Sequence, residues 1–351
     1  MRRNVYSLPR RVLPGLNTEV SVIGAGCWAI GGPAANHGVP IGWDAVDPLA
    51  AYEGLRRAHD LGVTLFDTAD VYGLGQSERL LGRLLARVQR GSVVVSSKVG
   101  YFAGTAAHPY APTQMRHQFT TTLDNLGTDY LDLYFLHSTD FGAQDRYLID
   151  AIEVIRELRE RGLVRAVGMR APHTFAAQWA ESDRPEAAAT ARWLHLFEVI
   201  RPDVVTVRYN LLSPLYPPQE TDIFDFARDH GVGVLIKQAL GQGTLLRPPG
   251  ADRRAFSGED HRSRDPQFQP AALAELDARL APIRARFGDM PAALARLALG
   301  YALHRDPNTV VLVGFRDADQ IHTTVTSLAD PLSPQEITEL RDLLHPTART
   351  A

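Results

Sequence analysis

The feature that most constrains this chain is a repeat of short apolar runs, each followed by a longer segment with helical spacing. The runs are Val20–Ala25, Thr64–Asp67, Val93–Lys98, Leu131–His137, Val164–Met169, Val204–Tyr209, Gly233–Ile236 and Thr309–Val313. Most are β-branched or almost continuously apolar, as strands covered on both faces are. Between them, Leu49–Leu61 stops at Gly62, Thr113–Leu126 at Gly127, Leu148–Arg161 at Gly162 and Phe224–His230 at Gly231. A glycine there is a helix C-terminal signal. Ser77 is placed to cap a helix over Glu78–Val88, Pro291 to open Ala292–His304, and Asp317–Leu328 follows the last run. Phe175–Ile200 reads as two helices broken near Pro185.

Strand and helix alternating in this way predict an α/β fold, a (β/α)8 TIM barrel forming a single domain over residues 1–351. A doubly wound sheet would need a glycine loop joining its first strand directly to a helix. Here Gly24-Ala25-Gly26 has Ala29 where the third glycine would stand, and a loop rich in Gly and Pro follows. Three segments fall outside the repeat. Val5–Thr18, with the turn signal Pro14-Gly15, predicts an N-terminal hairpin that plugs one barrel end. Leu245–Pro270 is long and polar, as lids often are, and Arg253–Arg264 alternates with Glu259 and Asp260 as a solvated face would. Ala271–Phe287 and Pro334–Leu344 predict extra C-terminal helices.

Composition narrows the function. A formal net charge of −3 argues against a nucleic-acid partner or a polybasic membrane binder. The single cysteine, Cys27, excludes an internal disulfide and a cysteine-built zinc site. The histidines show no metal-ligand spacing, so no metal is expected. Met1–Arg11 lacks the apolar core of a signal peptide. The uncharged stretch Val20–Trp43 holds six glycines and two prolines, which suits no membrane span. The expected location is cytoplasmic.

In a barrel of this kind the working residues stand where strands end, on the C-terminal face. Those ends carry Trp28, Asp67, Lys98, His137, Arg170, Tyr209-Asn210, Lys237 and Gly314–Arg316. Only two of the 37 basic residues are lysines, Lys98 and Lys237, and both are at strand ends. Lysine can lose its proton where arginine cannot. Tyr72 follows Asp67 by five residues. An ammonium from Lys98, held by Asp67, would lower the pKa of the Tyr72 phenol, and His137 could donate a hydrogen bond to a carbonyl oxygen. Such a set suits proton delivery to a carbonyl oxygen while something else attacks its carbon.

Phe66-Asp-Thr-Ala-Asp-Val-Tyr72-Gly73 with Ser77-Glu78, Val95-Ser-Ser-Lys98, Leu131-Asp-Leu-Tyr-Phe-Leu-His137, Gly24-Ala-Gly26-Cys27-Trp28, Gly231-Val-Gly-Val and Leu240-Gly-Gln-Gly243 together carry a resemblance. On them the chain resembles the aldo-keto reductase family over nearly its full length. The resemblance implies an NADP(H)-dependent oxidoreductase. It would reduce an aldehyde or ketone, or oxidise the alcohol, by direct hydride transfer on a small-molecule carbonyl substrate. Tyr72 would be the general acid, tuned by Lys98 and Asp67, while His137 and Trp28 would contact substrate. The cofactor would meet Gly26, Cys27, Asp67, Thr206, Tyr209, Gln238, Leu240, Gln242, Gly243, Gly314, Phe315, Arg316 and Gln320. Trp28, Phe102, Tyr110, Phe141 and the lid would shape the substrate pocket.

The family pattern is broken around the cofactor. Gly168-Met169-Arg170-Ala171 stands where the family has Gly-x-Ser-Asn, and Thr206 replaces a glutamine. Lys237, followed by Gln238-Ala239, replaces an aromatic followed by Ser-Pro, and Thr323-Thr324 replaces a Glu-Asn pair. Either Arg170 and Lys237 rebuild the nicotinamide site, the favoured reading, or they grip an anionic substrate. The alternatives are a redox-silent lyase or isomerase using the same Tyr/Lys/Asp/His set, and a non-catalytic channel-type regulatory subunit.

Overall fold

A computed structural model describes residues 7–250 and 255–345. Eight parallel strands close into a barrel in chain order. They are β1 (Ile23–Gly26), β2 (Leu65–Asp67), β3 (Val94–Val99), β4 (Leu131–Leu136), β5 (Val164–Arg170), β6 (Val204–Arg208), β7 (Gly233–Lys237) and β8 (Thr309–Gly314). Each apolar run thus becomes a barrel strand. The run from Val20 also supplies the hairpin, because Ser21 ends one strand and Ile23 begins the next.

Residue alternation along the strands divides the molecule in two. Leu65, Val94, Leu133, Phe135, Ala166, Val204, Leu235 and Val310 point inward. Their neighbours on the strands face a larger outer layer of helices. Those helices are α1 (Pro48–Asp60), α2 (Gln76–Leu85), α3 (Pro112–Leu126), α4 (Leu148–Glu160), α5 (Ala187–Ile200) and α6 (Ile223–Asp229). After β7 come α7 (Pro270–Phe287) and α8 (Pro291–His304), and after β8 come α9 (Ala318–Thr326) and α10 (Pro334–Leu344). The break expected near Pro185 falls between the short turn Ala177–Glu181 and α5.

The hairpin pairs Arg10–Leu13 with Thr18–Ser21. Its Leu13, Leu16 and Val20 join the inward-facing residues, so it plugs the N-terminal end. Val5 and Tyr6, the start of that expected hairpin, lie outside the described residues. Two local expectations are corrected. Ser77 does not cap α2, which starts at Gln76 after Gly75. Its hydroxyl instead lies 2.8 Å from Thr68 Oγ1 and donates to the Cys27 carbonyl, tying the ends of β1 and β2 together. The lid segment is not simply solvated, since Asp260 and Arg262 are buried. Arg253 lies outside the described residues. Among the described residues no helix is long and apolar enough to cross a membrane.

Candidate active site

The inward-facing rows continue past the packed layers to the C-terminal rim, and the period of two decides which residues arrive there. Leu65 leads to Asp67, Val94 through Ser96 to Lys98, and Leu133 through Phe135 to His137. Ala166 leads through Gly168 to Arg170, Val204 to Thr206, and Leu235 to Lys237. All six end residues line a cleft of about 790 Å³ at the C-terminal mouth, a size typical of ligand pockets. Gly168 is required at the turning point of its row: a Cβ there would sit 2.2 Å from the Phe135 ring.

On the β2–β4 side every charge is partnered. The Lys98 ammonium donates to both Asp67 carboxylate oxygens, at 2.9 and 2.8 Å, and to the Thr68 carbonyl at 2.5 Å. Ser96 Oγ donates to Asp67 Oδ1 at 2.7 Å. Both charged residues are buried. Desolvation costs several kcal/mol per ion, so the pair depends on this near-complete set of hydrogen bonds. Burial is the strongest single influence and pulls the Lys98 pKa down, but Asp67 and Tyr72 together more than offset it, and the net shift is upward.

Tyr72 is held over this pair by its loop. Its ring centroid lies 4.8 Å from Lys98 Nζ and 6.0 Å from the stacked Trp28 ring. The loop fits against the single helical turn Trp28–Gly31 because glycines meet there. A Cβ on Gly73, which has φ +61°, would lie 1.9 Å from the Gly31 carbonyl oxygen. The expectation of a lowered phenol pKa is corrected. Burial outweighs the Lys98 charge and pushes Tyr72 up to about 12. His137 stands edge-on to Tyr72 at 6.2 Å and to Tyr101 at 4.7 Å. Burial, then the Lys98, Lys237 and Arg170 charges, push its pKa well below the usual value. It is a neutral imidazole whose buried Nδ1 has no hydrogen-bond partner among the described residues.

The β5–β7 side is the opposite. Arg170 reaches His173 Nε2 at 3.3 Å, and among the described residues no carboxylate lies within ion-pair distance of Arg170 or Lys237. Burial, followed by Arg170 and Lys98, pushes the Lys237 ammonium down to about 7.

The outer part of the cleft is lined by the turn after β7 and by the start of α9. Gln238, Leu240, Gln242 and Gly243 line it from the first, with positive φ at Gln238, Gly241, Gln242 and Gly243. Gly26, Gly314, Phe315, Arg316 and Gln320 line it from the β1 and β8 ends. The Arg316 side chain donates to the Asp44 and Ala45 carbonyls, while its backbone N–H donates to Gln320 Oε1. Two expected cofactor residues do not reach the cleft. Cys27 is fully buried, with a thiol pKa raised first of all by that burial. Tyr209 stacks on Tyr301 at 5.7 Å and packs edge-on to Phe224. Among the expected pocket aromatics, Tyr110 and Phe141 stack on each other at 4.5 Å behind the wall, and Tyr101 lines the cleft in place of Phe102.

The segment expected to be a lid, Leu245–Pro270, does reach the mouth, where Leu246, His261 and Arg262 line the cleft; which of its residues strap it down was not foreseen. His261 stacks on Trp28 at 4.4 Å. Its ring nitrogens lie within hydrogen-bond distance of the Gly42 carbonyl and Gln242 Oε1. Asp260 accepts from the Asp44 N–H at 2.8 Å and from the Arg262 side chain at 2.9 and 2.6 Å. Arg262 in turn lies 4.0 Å from the Trp43 ring centroid. The only signal was an acid and a base two apart in a polar loop, which a solvated face also gives. Among the described residues no group of three or more His, Cys, Asp or Glu side chains could hold a metal ion.

The sequence model of the Aldo/keto reductase family matches residues 22–345. The aldo-keto reductase YhdN of Bacillus subtilis (strain 168) is 28% identical over 339 residues, covering 94% of this chain and 91% of the relative. The NADH-specific methylglyoxal reductase of Escherichia coli (strain K12) is 25% identical over 339 residues, covering 92% and 94%. Among solved structures, the glycerol dehydrogenase AKR11B4 of Gluconobacter oxydans superposes with a TM-score of 0.69 at 23% identity, covering 99% of this chain and 98% of that one. At that identity the structural likeness speaks to the fold alone.

Proposed function

The chain belongs to the aldo/keto reductase family, and we propose that it is an NADP(H)-dependent oxidoreductase that reduces an aldehyde or ketone, or oxidises the corresponding alcohol. The observation that carries this reading is the buried Lys98–Asp67 pair beneath Tyr72, with neutral His137 facing the same cleft.

A nicotinamide dinucleotide fits the cleft on two counts. The volume suffices. Its outer end also offers polar groups of the kind that hold phosphates and ribose: Gln242, Gln320 and Arg316. When bound, the reduced nicotinamide supplies the hydride for the carbonyl carbon. Everything else falls to the chain's own side chains. Tyr72 gives its proton to the carbonyl oxygen. His137, being neutral, donates an N–H to that same oxygen. Lys98 stabilises the phenolate left behind, and Asp67 holds Lys98 in place. A phenol at about 12 stays protonated through the neutral range. Reduction is therefore ready at neutral pH, whereas oxidation, which needs the phenolate, speeds up as pH rises.

The test is to titrate the protein with NADPH and with NADH by tryptophan fluorescence. Consumption of the bound cofactor is then followed with a panel of aldehydes and ketones, methylglyoxal included. The reading predicts binding of NADPH and carbonyl-dependent oxidation of it, and the NADH titration shows whether the site discriminates between the two. Failure to bind either at millimolar concentration rejects hydride chemistry and leaves an acid–base reaction on the Tyr72 set.

A further inference from the structure

Two cations without a carboxylate partner stand on the inward face of the same cleft that holds the proton-handling side chains. Arg170 ends the row Ala166–Gly168–Arg170, and Lys237 the row Leu235–Lys237. Leu136 pairs with Met169 across β4 and β5, so the next step along each strand brings His137 and Arg170 side by side. Thr206 pairs directly with Arg170, and β7 follows β6 around the barrel. The wall therefore runs His137, Arg170, Thr206, Lys237 on four successive strands, the first three level and roughly 5 Å apart from strand to strand, and Lys237, paired with Arg208, one inward step further along.

The charges facing this wall do not balance. Asp67, the acid acting on Lys237, already holds Lys98 in a buried pair. Arg262, another cleft cation, is taken by Asp260. Arg208 at the end of β6 and His173 beyond β5 lie on the same side, and neither brings a negative charge. Half-buried cations gathered in this way repel one another and lose solvation. An anion at this spot would relieve both, and Arg170 offers the planar fork that matches a carboxylate.

We propose that Arg170 and Lys237 form an anion subsite next to the carbonyl position, and that the substrates are aldehydes or ketones carrying a carboxylate or phosphate. The proposal deepens the reductase reading and rests on it for the carbonyl. The Thr206 hydroxyl between the two cations is a further donor to the same group. His137 remains the donor to the carbonyl oxygen, so one substrate spans the wall, its carbonyl at β4 and its anion between β5 and β7.

The test uses matched pairs with the full chain and NADPH: succinic semialdehyde against butanal, glyoxylate against acetaldehyde, and glyceraldehyde phosphate against glyceraldehyde. The anionic member of at least one pair should win in kcat/KM by roughly tenfold to hundredfold, the range of charge-assisted hydrogen bonds. Which pair wins separates carboxylate from phosphate. Lys237→Met and Arg170→Met should erase most of that preference through KM. A second, turnover-independent arm titrates the wild type and both variants with succinate by calorimetry. Succinate binding that Lys237→Met and Arg170→Met abolish supports the subsite even if no aldehyde is reduced, an outcome that would reject the reductase reading alone. Reduction without anionic preference rejects the subsite and keeps the reductase. Variants that weaken NADPH binding and leave the preference intact would overturn the proposal, because the cations would then belong to the cofactor.

Discussion

The two halves of the cleft rim are built on opposite electrostatic plans. On β2 to β4, Lys98 is ringed by Asp67 and the Thr68 carbonyl, and the charge is cancelled within the protein. On β5 to β7, Arg170 and Lys237 have no such partner among the described residues, and the charge is left over. Both halves sit on the rim of the same barrel, the paired one buried and the unpaired one half-buried. The difference separates groups that must hold a fixed geometry in the free protein from groups whose counter-charge arrives from outside.

The largest expected effect would come from the paired half. Tyr72→Phe should lower kcat for carbonyl reduction by ~10²–10⁴-fold, the usual cost of losing a positioned general acid. Cofactor affinity, followed by tryptophan fluorescence, should stay close to that of the wild type. A near-normal kcat would remove the proton chemistry from this half. Next in size, Asp67→Asn leaves the Lys98 ammonium buried without its carboxylate. Breaking such a pair costs about 3–5 kcal/mol, to be read from urea unfolding. Arg170→Met breaks no ion pair and should cost far less, and equal losses would erase the contrast.

Gly168→Ala probes the seam between the halves. The added Cβ meets the Phe135 ring at 2.2 Å, an overpacking that should cost about 1–3 kcal/mol. A gradient rather than a fixed loss comes last, the pH dependence of stability. Lys237 titrates at about 7 in the folded protein, against an ordinary value of 10.5, with burial, Arg170, Lys98 and Arg208 lowering it and Asp67 raising it. Between those values the unfolded chain binds a proton that the folded chain does not, so wild-type stability rises with pH across that window. The slope is at most about 1.4 kcal/mol per pH unit. Lys237→Met lacks this slope. Its stability advantage over wild type should be largest below neutral pH and fade toward pH 10.5. Parallel unfolding midpoints for the two proteins across that range would show that Lys237 keeps its ordinary affinity for a proton.

The barrel was legible because the strands are almost wholly buried on both faces and most of the helices end at a glycine or begin at a proline, local signals that survive without tertiary information. Asp67, Lys98 and His137 were legible as strand ends, and Tyr72 as part of the run from Phe66 to Gly73. What stayed hidden depended on distance in space. The direction of the Tyr72 shift follows from how completely the phenol is buried, which no spacing encodes. Tyr209 turned out to face Tyr301 and Phe224 because the chain leaves the barrel wall just after Arg208. The strap joins Asp260 to Asp44 across more than two hundred residues, and its sequence looks like any polar loop. Arg170 and Lys237 were visible as departures, but not that both would lack a carboxylate partner.

The division of labour between the two halves is tested most directly by steady-state kinetics of Tyr72→Phe and Lys237→Met side by side, with NADPH and one carboxylate-bearing aldehyde such as succinic semialdehyde. The account predicts that the loss in Tyr72→Phe falls in kcat, by ~10²–10⁴-fold, and that the loss in Lys237→Met falls in KM for the aldehyde, by roughly tenfold to hundredfold. If both losses fall in the same constant, or if Tyr72→Phe acts on KM and Lys237→Met on kcat, the account is contradicted.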